Sequence, residues 1–292
     1  MTTRQLSWSN VASSRGRVRR RVERWAIWFL LGLGALVMIA PFYWMIITSF
    51  KPRAEVMVFP PTWWPKAPTL EPWTTLGQLR GGGFPVFFRN SIFVTFCVTF
   101  LVLLTSAMAG YIFAKFEFRG RDLLFVLVLS MMMIPFNVSI IPLYALMIDF
   151  HWTNSYWALI IPSAYSPFGI FLMRQFMHSI PNDLIDAGRI DGASEFGIFF
   201  RIIVPLSTAA IGALGIFTFQ GTWDDFLWPL VIIDEPALYT LPLGLGQLRG
   251  RFGSDVASMC AGATIAVLPV LVVYFLAQRR FIEGIALTGL KG

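Results

Sequence analysis

The chain has 292 residues, of which 56% are apolar and only 13% carry a charge, and its mean hydropathy is +0.67. Soluble domains contain about 45–50% apolar and about 25% charged residues, so this composition argues against a soluble enzyme, a disordered chain or a disulfide-held secreted domain. The net charge of +7 would suit nucleic-acid binding in a soluble protein, but membrane proteins concentrate basic residues on their cytoplasmic side.

Six uncharged, apolar runs follow one another along the chain, and each is long enough to cross a bilayer, since a span needs about 20 residues. They are residues 25–50, 90–114, 123–148, 152–173, 202–223 and 256–278. The sequence therefore predicts an all-α, polytopic membrane protein with six transmembrane helices. The first run is longer than the apolar part of a signal peptide and no small-residue cleavage site closes it, so we expect a retained span.

The basic residues predict how these spans are oriented. With a cytoplasmic N-terminus, the inside segments hold 16 of the 23 Lys and Arg, seven of them before the first span. Most of the others lie in one long loop, which has little influence on orientation. We therefore expect both termini in the cytoplasm, and we attribute the positive charge to orientation rather than to nucleic-acid binding.

The predicted spans divide the chain into segments. A basic cytoplasmic N-terminus (1–24) and the first helix (25–50) precede an extracytoplasmic loop (51–87), and a cytoplasmic C-terminus (280–292) ends the chain. The loop contains seven Pro and three Trp, which disfavour a long helix and favour a segment along the membrane surface. Within the second span, Ser106 and Gly110 would allow close helix packing, either inside the chain or between subunits.

Residue patterns for catalysis are missing from the sequence. His151 and His178 lie on opposite predicted sides of the membrane, and neither a nucleophile elbow nor a phosphate-binding P-loop occurs. We therefore expect no catalytic residue, metal or cofactor. The predicted spans also lack Asp, Glu, Lys and Arg, although ion-driven carriers usually place ionisable groups there. An ion-coupled secondary transporter remains the alternative, and an intramembrane enzyme is remote.

The cytoplasmic loop 174–201 contains a pattern of its own. Pro181 and Asp183 suit the start of a short helix, Gly192 predicts a break, and a second helix should run from about Ser194 into the membrane. On the first helix, small and apolar side chains share one predicted face that another protein could approach closely: Leu184, Ala187, Gly188 and Asp191. The residues alone also fit a simple connecting turn between two spans.

This loop resembles the EAA motif of ABC importer permeases, E-A-A-x3-G-x9-I-x-L-P. Residues 186–188 (Asp-Ala-Gly) occupy the E-A-A positions, Gly192 the glycine, and 202–205 the closing I-x-L-P with Val for Leu. The segments RIDGAS (189–194), IPLY (141–144) and RRFIEGIALTGLKG (279–292) resemble the MalG-like branch of carbohydrate importer permeases. Asp224 and Asn137 depart from that branch, which usually has Asn and Gln there.

The resemblance implies a type-1 ABC importer permease architecture over about residues 88–279, in a prokaryotic inner membrane. Its implied partners are a second homologous permease, two cytoplasmic ATPase subunits, an extracytoplasmic solute-binding protein and a sugar substrate. The loop 174–201 would couple to the ATPase, and the implied contacts are Asp186, Ala187, Gly188, Gly192, Ala193 and Glu195. The loop 228–255 would face the binding protein, and its candidate contacts are Asp234, Glu235, Leu243, Gly246 and Arg249.

Polar and aromatic side chains in the predicted spans are the candidates for a solute path, because amides and aromatic faces suit sugar hydroxyls. They are Asn137, Ser139, Tyr144, Gln220 and Trp223. Equally, Asn137 and Gln220 could bond helix backbone opened by a nearby Pro or Gly, since buried polar groups need partners in lipid. The resemblance leaves a further alternative, in which only the partner permease contacts the solute.

Overall fold

The structure, a computed structural model, describes residues 9–249 and 255–289, with side chains for 23–248 and 255–276. No strand occurs in these two ranges, and the chain is all-α as predicted. The predicted cytoplasmic segments at the chain ends lie partly outside the described residues. The α-helices are α1 (Ser9–Thr48), α2 (Arg53–Val56), α3 (Glu71–Gly77), α4 (Gly83–Lys115), α5 (Arg121–Ser130), α6 (Phe136–Asp149), α7 (Tyr156–Ile160), α8 (Pro167–His178), α9 (Asp183–Ile190), α10 (Glu195–Ile198), α11 (Val204–Leu206), α12 (Thr208–Trp223), α13 (Leu227–Ile232), α14 (Leu241–Gly246) and α15 (Val256–Gly289).

Three described helices are long and apolar enough to cross a membrane without interruption. They comprise Glu23–Thr48, Gly83–Lys115 and Val256–Leu276, with 26, 33 and 21 residues. At 1.5 Å per residue these helices are about 39, 50 and 32 Å long, enough for a hydrocarbon core of about 30 Å. They correspond to the first, second and sixth predicted spans.

Two further predicted spans are bent within the structure. Arg121–Met133 meets Phe136–Asp149 at 101°, and Glu195–Leu206 meets Thr208–Trp223 at 78°. The first bend lies at Pro135, which has no backbone N–H to continue the helix and adopts an extended conformation. The second follows Pro205 and a π-helical turn, a geometry that interrupts regular α-helical bonding.

The fourth predicted span, residues 152–173, contains only the short helix α7 and the beginning of α8. Pro162 and Pro167 lie between or at the start of these helices, and neither helix is long enough to cross a bilayer. The described residues thus hold three uninterrupted spans, or up to five if each bent pair counts as one. Six crossings therefore stay a prediction.

The packed centre of the chain forms around α4, which contacts α8 and α12 along its length. Small residues determine how closely α4 and α8 approach: a Cβ added to Gly110 would lie 2.5 Å from Met173 Cβ, and one added to Gly169 would lie 2.4 Å from Ser106 Oγ. Ser106 and Gly110 are therefore used for packing inside the chain, which decides between the two possibilities left open by the sequence.

The segment between α1 and α4 contains only short helices, as its prolines predict. Both of these helices, α2 and α3, pack against α15. Arg53 Nη2 forms an ion pair with Asp255 Oδ2 at 2.7 Å, and Asp255 Oδ1 accepts a hydrogen bond from the backbone N–H of Ser258 in the first turn of α15. The rest of the first span is largely exposed, with 6% of its apolar window buried.

Candidate functional site

The loop helix α9 begins after Pro181, and its charges follow the rule for helix dipoles. Asp183 and Asp186 lie in the first turn, where the helix N-terminus favours negative charge, and Arg189 lies in the last turn. The second helix begins with Ser194, whose Oγ accepts a hydrogen bond from the backbone N–H of Gly197. The predicted arrangement of two helices around Gly192 is confirmed.

Gly192 ends the helix by a change of backbone direction. Its φ is +78°, and the backbone N–H groups of Gly192 and Ala193 donate to the carbonyls of Arg189 and Gly188 at 3.0 and 2.9 Å. These two bonds form a Schellman motif, which strongly favours glycine at this position. Nothing in the described chain lies within 4 Å of a Cβ added to Gly192, so close packing inside the chain is not the reason for this glycine.

The exposed face of α9 agrees with the predicted face at Leu184, Ala187 and Asp191 but not at Gly188. Ile185 and Gly188 are buried, and a Cβ on Gly188 would lie only 3.0 Å from Ile202 Cδ1. Ala187 is exposed, and Ile190 is 86% exposed. Gly188 therefore packs against the chain itself, and the apolar surface offered to a partner includes Leu184, Ala187 and Ile190.

Arg189 joins the two helices of the loop. Its guanidinium bonds Asp186 Oδ1 at 3.1 Å and Glu195 Oε1 at 2.8 Å, and the hydroxyl of Tyr111 on α4 donates to Glu195 Oε2 at 3.3 Å. The hydrogen bond to Glu195 raises the pKa of Arg189, which stays charged. Exposed pairs of this kind add little stability, but they link α9 and α10 to α4. Ala193 is half-buried against an apolar cluster that includes Ile185 and Ile198.

A cavity of about 920 Å³ lies beside the loop that was predicted to face a binding protein. Asp234 and Glu235 line it together with Arg53 and Arg80. The backbone N–H groups of Asp234 and Glu235 donate to Asn154 Oδ1 at 2.6 and 2.9 Å. Both acidic side chains are exposed and accessible to a partner.

The other candidates in this loop differ from these two. Leu243 is 1% exposed and belongs to the apolar core, so its predicted contact with a binding protein is not available in this conformation. Gly246, the last residue of α14, lies against the ring of Phe226, and a Cβ added to Gly246 would be 2.9 Å from that ring. The side chain of Arg249 lies outside the described residues.

A second cavity, of about 720 Å³, lies where the broken helices meet. It is lined by residues from the bend between α5 and α6, the break between α7 and α8, the end of α12, and the starts of α13 and α14. Most of the lining is apolar, with Ser139, Ser163, Ser166, Asp225 and Thr240 among its polar members. These five side chains come from four separate stretches of the chain.

Two of these polar side chains can form further hydrogen bonds with a ligand. Thr240 is 5% exposed, and its hydroxyl has no hydrogen-bond partner. Asp225 is half-buried, and burial raises its pKa, while Oδ1 accepts a hydrogen bond from the backbone N–H of Trp228 at 3.4 Å. Among the described side chains, no Lys, Arg or His forms an ion pair with Asp225. A buried polar group without a partner is costly unless a ligand or water supplies one.

Only Ser139 of the five predicted path residues lines this cavity. Asn137, Tyr144 and Gln220 are exposed on the outside of the described chain. Trp223 is 2% exposed, stacks on Phe219, and donates a hydrogen bond to the carbonyl of Ala266 at 3.1 Å, so it joins α12 to α15. Asp225 and Thr240 were not among the predicted path residues, because both lie outside the six apolar runs that contain those candidates.

Comparison with known proteins agrees with these features. The family described as "Binding-protein-dependent transport system inner membrane component" matches residues 106–285. An arabinooligosaccharides transport system permease protein of Bacillus subtilis is 36% identical over 274 residues, covering 93% of this chain and 97% of that protein. A lactose transport system permease protein of Rhizobium radiobacter is 30% identical and covers 91% and 96%.

A solved structure is similar along almost the whole chain. It is a bacterial ABC transporter involved in the import of the acidic polysaccharide alginate, and one of its chains superimposes with a TM-score of 0.75. The two sequences are 22% identical, and the match covers 89% of this chain and 97% of that one. At this identity the likeness establishes the fold.

Proposed function

This chain belongs to the family of binding-protein-dependent transport system inner membrane components, and we propose that its solute is a sugar or an oligosaccharide. It is a membrane-spanning permease subunit of an ABC importer and not an enzyme, and ATP hydrolysis takes place on a separate subunit. The relatives named for arabinooligosaccharides, lactose and sulfoquinovosyl glycerol support a carbohydrate solute. Membership of this family also argues against the ion-coupled carrier.

The proposed assembly pairs this chain with a second, homologous permease, two cytoplasmic ATPase subunits and an extracytoplasmic binding protein. Both termini would be cytoplasmic, with the α9 loop inside and the α2–α3 segment outside. Single cysteines at Thr74 and Asn182, in a chain lacking Cys97 and Cys260, test this orientation. Position 74 should react with an impermeant thiol reagent from outside, and position 182 only from inside. External labelling of position 182 would contradict the orientation.

The cavity of about 720 Å³ is the best-supported part of a solute path in this chain, and this observation carries the carbohydrate proposal. Hydroxyl groups of a sugar both donate and accept hydrogen bonds, so they can supply the partner that the Thr240 hydroxyl lacks and can donate to the Asp225 carboxylate. The apolar part of the lining suits the C–H faces of a sugar ring. Movement of any of the broken helices would change the shape of this cavity.

The link between the ATPase and this cavity would run through the loop. In the proposed mechanism Ala187 and Ile190 on α9 contact the ATPase, and the Arg189–Glu195 pair connects α9 to α10. The chain then continues through α11 into α12, whose end lines the cavity. Closure of the ATPases on ATP would therefore reach the solute path through a continuous, packed element.

Uptake by the assembled complex in vesicles tests this function. We expect uptake of a sugar or an oligosaccharide from a panel to require ATP inside and the binding protein outside. Uptake driven by an ion gradient with this chain alone would overturn the proposal.

Replacement of Thr240 by Val tests the solute path separately. Loss of one hydrogen bond should raise the KM for uptake by about twofold to tenfold, which corresponds to about 0.5–1.5 kcal/mol. Stimulation of ATP hydrolysis by the binding protein should persist, because the hydroxyl bonds nothing in the chain itself. An unchanged KM would show that Thr240 does not contact the solute.

A further inference from the structure

A third cavity, of about 450 Å³, lies at one end of the helical bundle, beside the start of the α9 loop. It is formed by the end of α4 with the following turn, the first residue of α5, the end of α8, and the residues leading into α9. Four of its lining residues are basic: Lys115, Arg121, Arg174 and His178. Basic side chains that converge from three separate helices on one cavity create a site for an anion.

The positive charge around this cavity is only partly neutralised. Asp122 pairs with Arg121 at 3.0 Å and lies 3.8 Å from Arg174, while Lys115 bonds only neutral oxygens, the carbonyl of Ile180 and Asn182 Oδ1. Glu117 is the one acidic residue of the lining. Lys115, Arg121 and Arg174 thus face two carboxylates, which leaves one excess positive charge.

Arg174 also has donors left for a ligand. Its side chain is 18% exposed, its guanidinium lies 4.0 Å above the ring of Phe125, and only Nε bonds the chain, at the carbonyl of Phe113. Its terminal nitrogens have no acceptor within hydrogen-bond distance in the described part of the chain, since Asp122 is 3.8 Å away. A guanidinium held in this way presents paired N–H groups that match a phosphate.

The position of the cavity distinguishes a lipid from a soluble anion. Lys115 is the last residue of the 33-residue apolar helix α4, so the cavity opens where a membrane-spanning segment ends. The ring of Phe118 is exposed and lies 6.4 Å from the ring of Phe113, which lines the cavity, and Ile112 and Leu123, close in sequence to the lining residues, are exposed apolar side chains as well. A headgroup in the cavity would therefore have acyl chains against apolar surface, which a free phosphate lacks.

We propose that this cavity binds the phosphate headgroup of an anionic phospholipid from the cytoplasmic leaflet. The inference rests on the proposed orientation, which places the α9 loop inside. Lys115 contacts both Ile180 and Asn182 at the entrance to α9, so a bound headgroup fixes the start of the coupling loop as well as the end of α4. Basic cavities between helices on the cytoplasmic side are known to select anionic headgroups.

Native mass spectrometry of the assembled complex tests this site, after extraction from vesicles of phosphatidylcholine and phosphatidylglycerol. The wild-type complex should retain phosphatidylglycerol preferentially, and Lys115→Gln or Arg174→Gln should lower that retention by about fivefold for each charge removed. Arg201→Gln is the control, since Arg201 is an exposed cation near the same loop that does not line the cavity. Arg121→Gln provides a further variant if either of the first two fails to assemble.

Three results would overturn the inference. They are equal retention of the two lipids by the wild-type complex, equal retention of phosphatidylglycerol by the cavity variants and the Arg201 control, and displacement of the lipid by millimolar inorganic phosphate. The last result would identify a soluble anion as the ligand. Lipid retention is measured without ATP or solute, so its outcome is independent of whether the transported solute is a sugar.

Discussion

Replacement of Ile190 by Asp is the sharpest test of how this permease would contact an ATPase. Ile190 is 86% exposed on α9, directly beyond the buried residues Ile185 and Gly188. Such an exposed isoleucine contributes little to the stability of the isolated chain, because its side chain contacts little of that chain. If α9 enters a cleft of the ATPase, this side chain becomes buried there.

The size of the effect follows from the exposed fraction. Full burial of an isoleucine side chain contributes about 1.5–3 kcal/mol, and 86% of that is about 1.3–2.6 kcal/mol. Its loss should weaken ATPase binding by about tenfold to eightyfold. The introduced carboxylate would add a desolvation cost, so this range is a lower bound for Ile190→Asp.

The assay is a titration of the purified permease complex with the ATPase, together with the amount of permease recovered from membranes. Arg119→Ala is the matched control: it also lowers the net charge by one, and Arg119 is exposed on the turn between α4 and α5. We expect normal membrane abundance for both variants and weakened ATPase binding for Ile190→Asp alone. ATPase affinity equal to wild type in Ile190→Asp would show that this face of α9 is not the docking surface.

Two further predictions concern backbone conformation and pH. Gly192→Asn should retain more transport than Gly192→Val, because Asn tolerates the left-handed conformation at φ +78° whereas a β-branched residue does not; equal losses in an uptake assay would refute a conformational role. Asp225→Asn should raise the melting temperature at mildly alkaline pH, because burial raises the pKa of Asp225 and so penalises its ionised form in the folded state. This advantage should shrink as pH falls through the raised pKa, where folded Asp225 takes up its proton, and a pH-independent difference in melting temperature would contradict the argument.

The sequence determined the features that depend on local chemistry. Charge-free runs of more than 20 residues predict membrane helices because the bilayer core cannot satisfy exposed backbone groups, and α1, α4 and α15 follow this rule. The helix break at Gly192 was predictable for a similar reason: the left-handed backbone there favours glycine whatever surrounds it. The EAA-like spacing identified the family, and the match to residues 106–285 agrees with it.

Hydropathy alone could not show how many of these runs cross the membrane directly. An apolar run measures how much chain can enter lipid, but whether the helix stays straight depends on prolines and on the neighbours that accommodate a bend. The bends of 101° and 78°, and the division of residues 152–173 between α7 and α8, are of this kind.

Which side of a helix is used was decided only by tertiary packing. Helical periodicity places Ala187 and Gly188 close together, yet Ile198 and Ile202 cover Gly188 and leave Ala187 exposed. Periodicity specifies relative angles around a helix axis, and it carries no information about the direction from which the rest of the chain approaches.

The candidate solute cavity shows the same limit over longer distances. Ser139, Asp225 and Thr240 are far apart in sequence and share no motif, and they meet because α6, the end of α12 and the start of α14 come together at one place. Trp223, an equally plausible choice from its residue type, instead fills the contact between α12 and α15. Residue chemistry specifies what a side chain can bind, whereas its access to a ligand depends on long-range contacts that only the folded chain creates.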